Sequence, residues 1–419
     1  MAHALGKHLL LELHGCPRHV LNDISALEKH MVQAAREAGA TVINTTFHHF
    51  SPLGVSGVVV IQESHLSIHT WPEFGFAAID LFTCGENTDP WRACVYLKKA
   101  LQATGGDAQE MARGQFFQRK TSARSPKGPI LHQLWFTEKN ENIALSLRHA
   151  GVVFDSQSPF QKVQILNTYG YGNMLVLDGH VMCTERDECV YHEMIAHIPA
   201  LLHPHPKTAL VIGGGDGGAV RELCRHPSLS AITVAEIDET VVQAAHQHLP
   251  QLAAGFNDPR VTLKIANGID LINQTPEETC DLILIDAPGQ DGPAEPLTSA
   301  AFYKQIRHCL TPQGILVAQI PPPTLSDSAF PQIFHRLQSA FLPHRVYPYF
   351  AFIPTYATGM VGFLLASKGN HHPVQNLDHQ RAIQLSQTHP LRYYTPEIHA
   401  ASFALPPFIK TMLNQQTDK

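Results

Sequence analysis

Between residues 207 and 320 one pattern recurs: a short, almost wholly apolar run, then a longer segment of helical character. The apolar runs cover residues 209–212, 232–236, 261–265, 282–286 and 315–319. Strands apolar on both faces, with helices between them, predict a parallel sheet buried on both sides, a doubly wound Rossmann-like α/β arrangement. The first hundred residues follow another rhythm. Residues 9–13, 41–47, 58–62 and 76–82 read as strands. Residues 24–38 have helical periodicity, with Asp23 as N-cap and Gly39 as the stop, and Pro90 opens a second helix over 90–103. These elements predict a two-layer α+β sandwich, with helices over a mostly antiparallel sheet. Residues 104–107 end that helix, and the polar, basic stretch 120–129, rich in Ser, Pro and Gly, reads as a linker. Residues 135–182 alternate in short runs separated by turn signals at 169–173 and 178–179, which predicts a small antiparallel β unit. Residues 187–202 read as a helix. The expected division is 1–118, a linker at 119–131, the β unit at 132–186 and the Rossmann-like domain at 187–419.

Composition narrows the function classes. The chain has 419 residues, 44% hydrophobic and 16% charged, with a formal net charge of −6. That composition builds a buried core, and its acidic balance argues against a nucleic-acid partner. No apolar run is long enough for a bilayer, and the N-terminus lacks signal-peptide anatomy. The eight cysteines form no CxxC pair and the 27 histidines no HExxH motif, so the expectation is a cytoplasmic protein without a metal.

The sharpest motif of the second half is Gly213-Gly214-Gly215-Asp216-Gly217-Gly218, between a predicted strand and a predicted helix. Five glycines carry an entropic cost that a simple turn would not need. GxGxxG alone suits a dinucleotide, whose pyrophosphate would sit at the helix N-terminus. Asp216 within the turn would repel a pyrophosphate and favour a cationic ligand, a sulfonium or an ammonium. Glu236 ends the next strand, where an acid holds ribose hydroxyls. Asn267 and Gly268 follow the third strand, in reach of an adenine edge, and Asp286 ends the fourth. Together they predict an adenosyl pocket for S-adenosylmethionine or a relative of it.

Residues 135–410 resemble the spermidine synthase (polyamine aminopropyltransferase) family. The resemblance rests on Leu177-Asp178-Gly179, Thr184-Glu185-Arg186-Asp187-Glu188, Tyr191-His192-Glu193-Met194, the glycine turn, Glu236-Ile237-Asp238, Gly292-Pro293-Ala294-Glu295 and Ile353-Pro354-Thr355-Tyr356. It implies that Asp286 helps deprotonate the attacking amine. Gln161, His192, Asp216, Glu236, Asn267 and Gly268 would bind decarboxylated S-adenosylmethionine, and Tyr191, Asp286 and Tyr356 the amine. A carboxylate that orients the amine and accepts its proton suits this chemistry, as do nearby acids that offset the ligand's charge. Three positions depart from the family. Its second acid after the fourth strand falls at Gly289, with Asp291 two residues on as a substitute. Its adenine-site aspartate is Asn267, and Pro321-Pro322-Pro323 follows the fifth strand in place of polar residues.

In the first hundred residues, Glu63-Ser64-His65-Leu66-Ser67-Ile68-His69-Thr70-Trp71-Pro72-Glu73 alone reads as a polar strand end. Residues 6–103, however, resemble the prokaryotic S-adenosylmethionine decarboxylase proenzyme. Shared stretches are Gly6-Lys7-His8-Leu9, Gly54-Val55-Ser56-Gly57, residues 63–73 and Asp80-Leu81-Phe82-Thr83-Cys84-Gly85. The resemblance implies self-cleavage between Glu63 and Ser64, which leaves a pyruvoyl group made from Ser64. Ser56 and His69 would assist maturation, Cys84 would donate the proton that replaces CO2, and Phe50 and Glu73 would hold substrate.

The two resemblances imply a bifunctional polyamine enzyme with S-adenosylmethionine and putrescine as substrates, a self-made pyruvoyl cofactor, and a homodimeric or higher assembly. Other readings are another diamine acceptor, a pyruvoyl-dependent ornithine or arginine decarboxylase in the first half, or an inert polyamine-sensing second half. A methyltransferase fits the quoted motifs least.

Overall fold

The structure is a computed structural model that describes residues 6–84, 88–113, 134–139, 143–287, 292–323 and 329–414. The linker at 119–131, and Gly289 and Asp291, lie outside the described residues. The chain divides into two compact units, Met1–Lys127 and Gly128–Lys419.

Unit one contains β1 (Gly6–His14), β2 (Val42–His49), β3 (Val55–Ile61), β4 (Ser64–Trp71), β5 (Phe76–Cys84) and β6 (Gly105–Arg113). They form one sheet in the order β2-β3-β4-β5-β1-β6, every pair antiparallel. The helices Ile24–Glu37 and Pro90–Ala100 cover one face, and Leu27, Met31 and Leu97 pack on Leu9, Leu66 and Leu81. Asp23 caps the first helix by accepting from Ala26 N–H, and Gly39 follows its end with a φ of 81°. The opposite face carries the alternate residues of β3 and β4, among them exposed Val58, Val60 and Trp71. Two segments differ from expectation. Most of residues 63–73 form the full strand β4, Ser64–Trp71, rather than a strand end. The stretch after residue 104 continues as the edge strand β6. Its sequence, GGDAQEMAR, has no β-branched residue, so pairing with β1 imposes the conformation against local preference.

Unit two begins with an antiparallel sheet of β7 (Leu134–Lys139), β8 (Ala144–Gln157), β9 (Lys162–Thr168), β10 (Gly172–Leu177) and β11 (His180–Thr184), in sequential order. The larger sheet holds β12 (Thr208–Gly213), β13 (Ala231–Glu236), β14 (Val261–Ile265), β15 (Cys280–Asp286), β16 (Leu310–Ile320), β17 (Val346–Phe352) and β18 (Met360–Ser367). Its order is β14-β13-β12-β15-β16-β18-β17. The first five strands in this order are parallel; β18 and β17 add antiparallel strands that the apolar pattern did not separate. Alternate residues explain the continuous apolar runs. Val211, Val234, Leu284 and Val317 enter one core with the helices Glu188–Leu202 and Gly218–Cys224. Leu210, Ile283 and Leu316 enter another with the helices Ala300–Cys309 and Ala329–Ala340. Val163 and Ile165 of β9 pack on Val241 and Ala244 of the helix Glu239–His248, which seats the small sheet beside the strand ends.

Candidate active sites

At the C-terminal ends of β12, β13 and β15 lies a cavity of about 360 Å³. Its wall includes Gln161, Tyr191, His192, Asp216, Glu236, Asn267, Gly268, Asp286 and Tyr356, nine positions expected from sequence. The turn after β12 is shaped by positive φ at Gly213 (83°), Gly214 (71°) and Gly217 (85°). A Cβ at Gly213 would also strike the Asp286 carbonyl oxygen, to which Gly214 N–H donates at 2.9 Å. Only glycine meets both demands. The turn therefore packs directly on the end of β15 and brings Asp216 beside Asp286.

The acids have distinct surroundings. Glu236 accepts from Gly215 N–H at 3.0 Å and Asp238 N–H at 2.9 Å. Burial nevertheless pushes its pKa up to about 7, and the Asp238 charge adds to the rise. Asp286 accepts from the Tyr191 hydroxyl at 2.7 Å, and that hydroxyl also lies 2.9 Å from Gln319 Oε1. Its Oδ2 is buried without a hydrogen-bond partner among the described residues. Burial and then the Asp216 charge push Asp286 up to about 6, while His192 and Tyr191 act in the opposite direction. Asp216 accepts from Gly218 N–H at 2.7 Å and lies 3.3 Å from His192 Nε2. Burial opposes its ionisation, and His192 and the Gly218 N–H more than offset that, so its pKa is lowered.

Other groups are partly committed. Asn267 Oδ1 accepts from Ile269 N–H at 2.8 Å and caps the helix Gly268–Gln274. The side-chain oxygen of the residue at the expected adenine site thus already holds one hydrogen bond. Gln161 Nε2 donates to Asp238 at 3.0 Å, which leaves its carbonyl end free for a ligand. The Tyr356 hydroxyl donates to the Met182 carbonyl at 2.8 Å, so its ring rather than its hydroxyl is available. Sequence reasoning missed Gln319, Asp178 and His180 on the wall. A lone polar residue near the end of the apolar strand β16 was the signal for Gln319.

Unit one distributes its expected residues over two ends of β4. At one end Ser64 opens the strand with a φ of 157°, a value disfavoured for a residue with a side chain. The Glu63 carbonyl accepts from Cys84 N–H at 3.0 Å, and Ser64 pairs with Thr83. At the other end Ser56 Oγ lies 2.7 Å from His69 Nδ1 across β3 and β4. Phe50, exposed beyond β2, and Glu73, in the turn after β4, belong to that end as well. His69 stands five residue steps along the strand from Ser64, about 16 Å at the usual rise. One chain thus brings Glu63, Ser64 and Cys84 together and, apart from them, Ser56, His69, Phe50 and Glu73.

Comparison with known proteins follows the same division. Residues 7–114 match the S-adenosylmethionine decarboxylase family model, residues 134–185 the spermidine synthase tetramerisation domain, and residues 188–376 the spermine/spermidine synthase domain. A polyamine aminopropyltransferase of Moorella thermoacetica is 40% identical over 281 residues, covering 67% of this chain and 96% of that protein. Spermidine synthase 1 of Pisum sativum is 38% identical, covering 66% of this chain and 84% of that protein. A solved spermidine synthase in complex with the transition-state analogue AdoDATO is 35% identical with a TM-score of 0.65, covering 70% of this chain and 98% of that one. The cavity of acids around the glycine turn and the Glu63–Ser64 junction thus lie in two enzyme domains of one polypeptide, and the chain belongs to the polyamine aminopropyltransferase family with an S-adenosylmethionine decarboxylase domain fused ahead of it.

Proposed function

We propose that the chain carries out two consecutive reactions of spermidine biosynthesis. Unit one decarboxylates S-adenosylmethionine with a pyruvoyl group made from Ser64. Unit two transfers the resulting aminopropyl group to putrescine, giving spermidine and methylthioadenosine. The observation that carries the second reading is Asp286 Oδ2, buried and unpartnered beside Asp216 at the end of a strand. The parallel strands with helices over both faces support a Rossmann-like seat for the adenosyl donor.

In unit two, Glu236 would hold the ribose hydroxyls, and Asp216 and Asp286 would face the donor's sulfonium and ammonium charges. The acceptor nitrogen attacks the methylene carbon next to sulfur. The carbon–sulfur bond breaks, its electron pair stays on sulfur, and the displaced proton passes to Asp286 Oδ2. Tyr191 holds the other carboxylate oxygen, so the accepting lone pair keeps its direction.

In unit one, the residues at the scissile bond fit formation of the pyruvoyl group. Ser64 Oγ attacks the Glu63 carbonyl carbon, the peptide bond breaks, and an ester links the two pieces. Cys84 N–H stabilises charge on the Glu63 oxygen. Elimination of the Glu63 carboxylate, then replacement of ammonia by water, leaves the pyruvoyl group on the second piece. That group supplies an electron-withdrawing carbonyl for loss of CO2. The separation of Ser64 from Ser56 and His69 along β4, on a sheet face that exposes Val58, Val60 and Trp71, favours a site completed by a second copy of the chain.

Purified protein incubated with S-adenosylmethionine and a panel of diamines tests the reading. CO2 and spermidine are expected with putrescine present, and Asp286→Asn is expected to lower triamine formation at least a hundredfold while CO2 release persists. Absence of CO2 refutes the first assignment, and absence of any triamine refutes the second. Intact mass is expected to show cleavage ahead of Ser64.

A further inference from the structure

A buried polar chain leads away from the donor cavity. His192 Nε2 lies 3.3 Å from Asp216 Oδ1, and His192 Nδ1 lies 2.7 Å from Glu188 Oε2. A neutral imidazole has a single N–H. Carboxylates at both nitrogens are satisfied together only when the ring is doubly protonated. The side chains of His192 and Glu188 expose 1% and 3% of their surface, so water does not substitute in that pair. Glu188 stands one turn ahead of His192 on the helix Glu188–Leu202. It also accepts from Arg221 Nη2 at 2.7 Å, and Arg392 Nη1 lies 3.6 Å away. Arg221 is itself tied to Glu222 at 2.8 Å. A Cβ at Gly218 would overlap the imidazole, so the glycine turn and the ring fix each other.

The charged and titratable groups around the ring come from every side. Glu188 shares its helix, Asp216 comes from the turn, and Asp286 from the end of β15. Cys183 of β11 lies near the same carboxylates, and Tyr191 stands edge-on to the ring. Arg221 and Arg392 approach through Glu188, and the Arg221 charge also favours ionised Asp216.

We propose that Glu188, anchored by Arg221, is a positioning residue for aminopropyl transfer: it fixes His192 as an imidazolium, and that charge lets Asp216 and Asp286 remain ionised side by side. The proposal rests on the aminopropyltransferase reading of unit two. Two neighbouring carboxylates otherwise tend to share a proton, and a protonated Asp286 has no lone pair ready for the acceptor amine. The electrostatic directions agree. Burial alone would lower the His192 pKa, but Asp216 and Glu188 outweigh it and lift the ring to about 10. Burial opposes Glu188 ionisation, and His192 and Arg221 more than offset it, to about 2.

Histidine-labelled protein tests the charge directly, with the His192 nitrogen resonances identified by their loss in His192→Gln. Both ring nitrogens are expected at imidazolium shifts from about pH 6 to about pH 9, and in Glu188→Gln the ring is expected to titrate within that range. A neutral ring at neutral pH in the unmodified protein overturns the proposal, as does a Glu188→Gln ring that stays charged throughout. The kinetic test is kcat/KM for decarboxylated S-adenosylmethionine against pH. In Glu188→Gln the acid limb is expected to rise by about half to one pH unit. Removing a nearby anion would by itself lower that limb, so an upward move has to act through His192. An unmoved or lowered limb with uniformly reduced activity overturns the positioning role. If Glu188→Gln does not fold, Glu188→Gln combined with Arg221→Gln is read by the His192 resonances, with the same two outcomes. If the unmodified protein transfers no aminopropyl group, the functional reading fails while the resonances still report the charge on His192.

Discussion

Two features of Glu236 pull its proton affinity in opposite directions. Its carboxylate orders the glycine turn by accepting from Gly215 N–H, and burial makes ionisation costly enough to move its pKa from 4.5 to about 7. The folded state therefore binds this proton more tightly than the unfolded chain. Its contribution to stability is greatest below pH 4.5 and is lost as pH rises to about 7. Ribose hydroxyls donate best to the ionised form. Methylthioadenosine, which has the ribose but no sulfonium charge, is expected to bind more tightly as pH rises through about 7. In Glu236→Gln that dependence should flatten and affinity fall about ten- to a hundredfold, as titration calorimetry across this range would show. The residue types at the strand ends were legible in the sequence, because apolar runs that stop at an acid mark both a strand end and a ligand-facing position. The commitments of those residues were not. Nothing in the sequence around Asn267 distinguishes a helix cap from an adenine contact, and the pairing of Glu188 with His192 shows only as an i, i+4 spacing until burial gives it weight.

Among the elements, the turn from β12 into the helix Gly218–Cys224 holds the site together. Gly218 has no unusual backbone demand, yet its Cα rests against the His192 ring. Gly218→Ala is expected to cost about 1–3 kcal/mol through overpacking. Aminopropyl transfer should fall while decarboxylation is unchanged, a contrast that thermal denaturation and the two assays on one preparation would reveal. The parallel strands were readable because both of their faces are buried, which makes their runs continuously apolar. Strand β6 was not, because a glycine-rich edge strand draws its conformation from β1 and not from its own residues. The antiparallel pair β17 and β18 extends the same sheet, but the strand–helix rhythm that marked the other five strands stops before it.

For the whole molecule, the two units have separate hydrophobic cores, one around Leu9, Leu66 and Met31 and the others around the large sheet. Among the described residues no helix is long and apolar enough to cross a membrane. The distribution of the expected decarboxylase residues over both ends of β4 makes a clear prediction. Ser64→Ala and His69→Ala chains, each inactive in decarboxylation alone, should recover about a quarter of normal activity when co-expressed, because half of the random pairs are mixed and each mixed pair has one intact site. No recovery would place the whole site within one chain. The sequence supplied all of these residues, but not the extended strand that separates Ser64 from His69, nor the register of β3 against β4 that puts Ser56 opposite His69.

The sheet order of unit one gives the proposed cut ahead of Ser64 a consequence of its own. The piece ending at Glu63 would contribute β1, β2 and β3, and the other piece β4, β5 and β6. These strands do not lie in two blocks: β1 is inserted between β5 and β6, while β3 borders β4. A scission there would therefore yield two interleaved polypeptides that share three strand–strand seams and one core. Release of the smaller would require tearing the sheet at all three seams. The nicked domain should behave as a permanent non-covalent heterodimer, in which the break frees a chain end for chemistry without freeing a fragment.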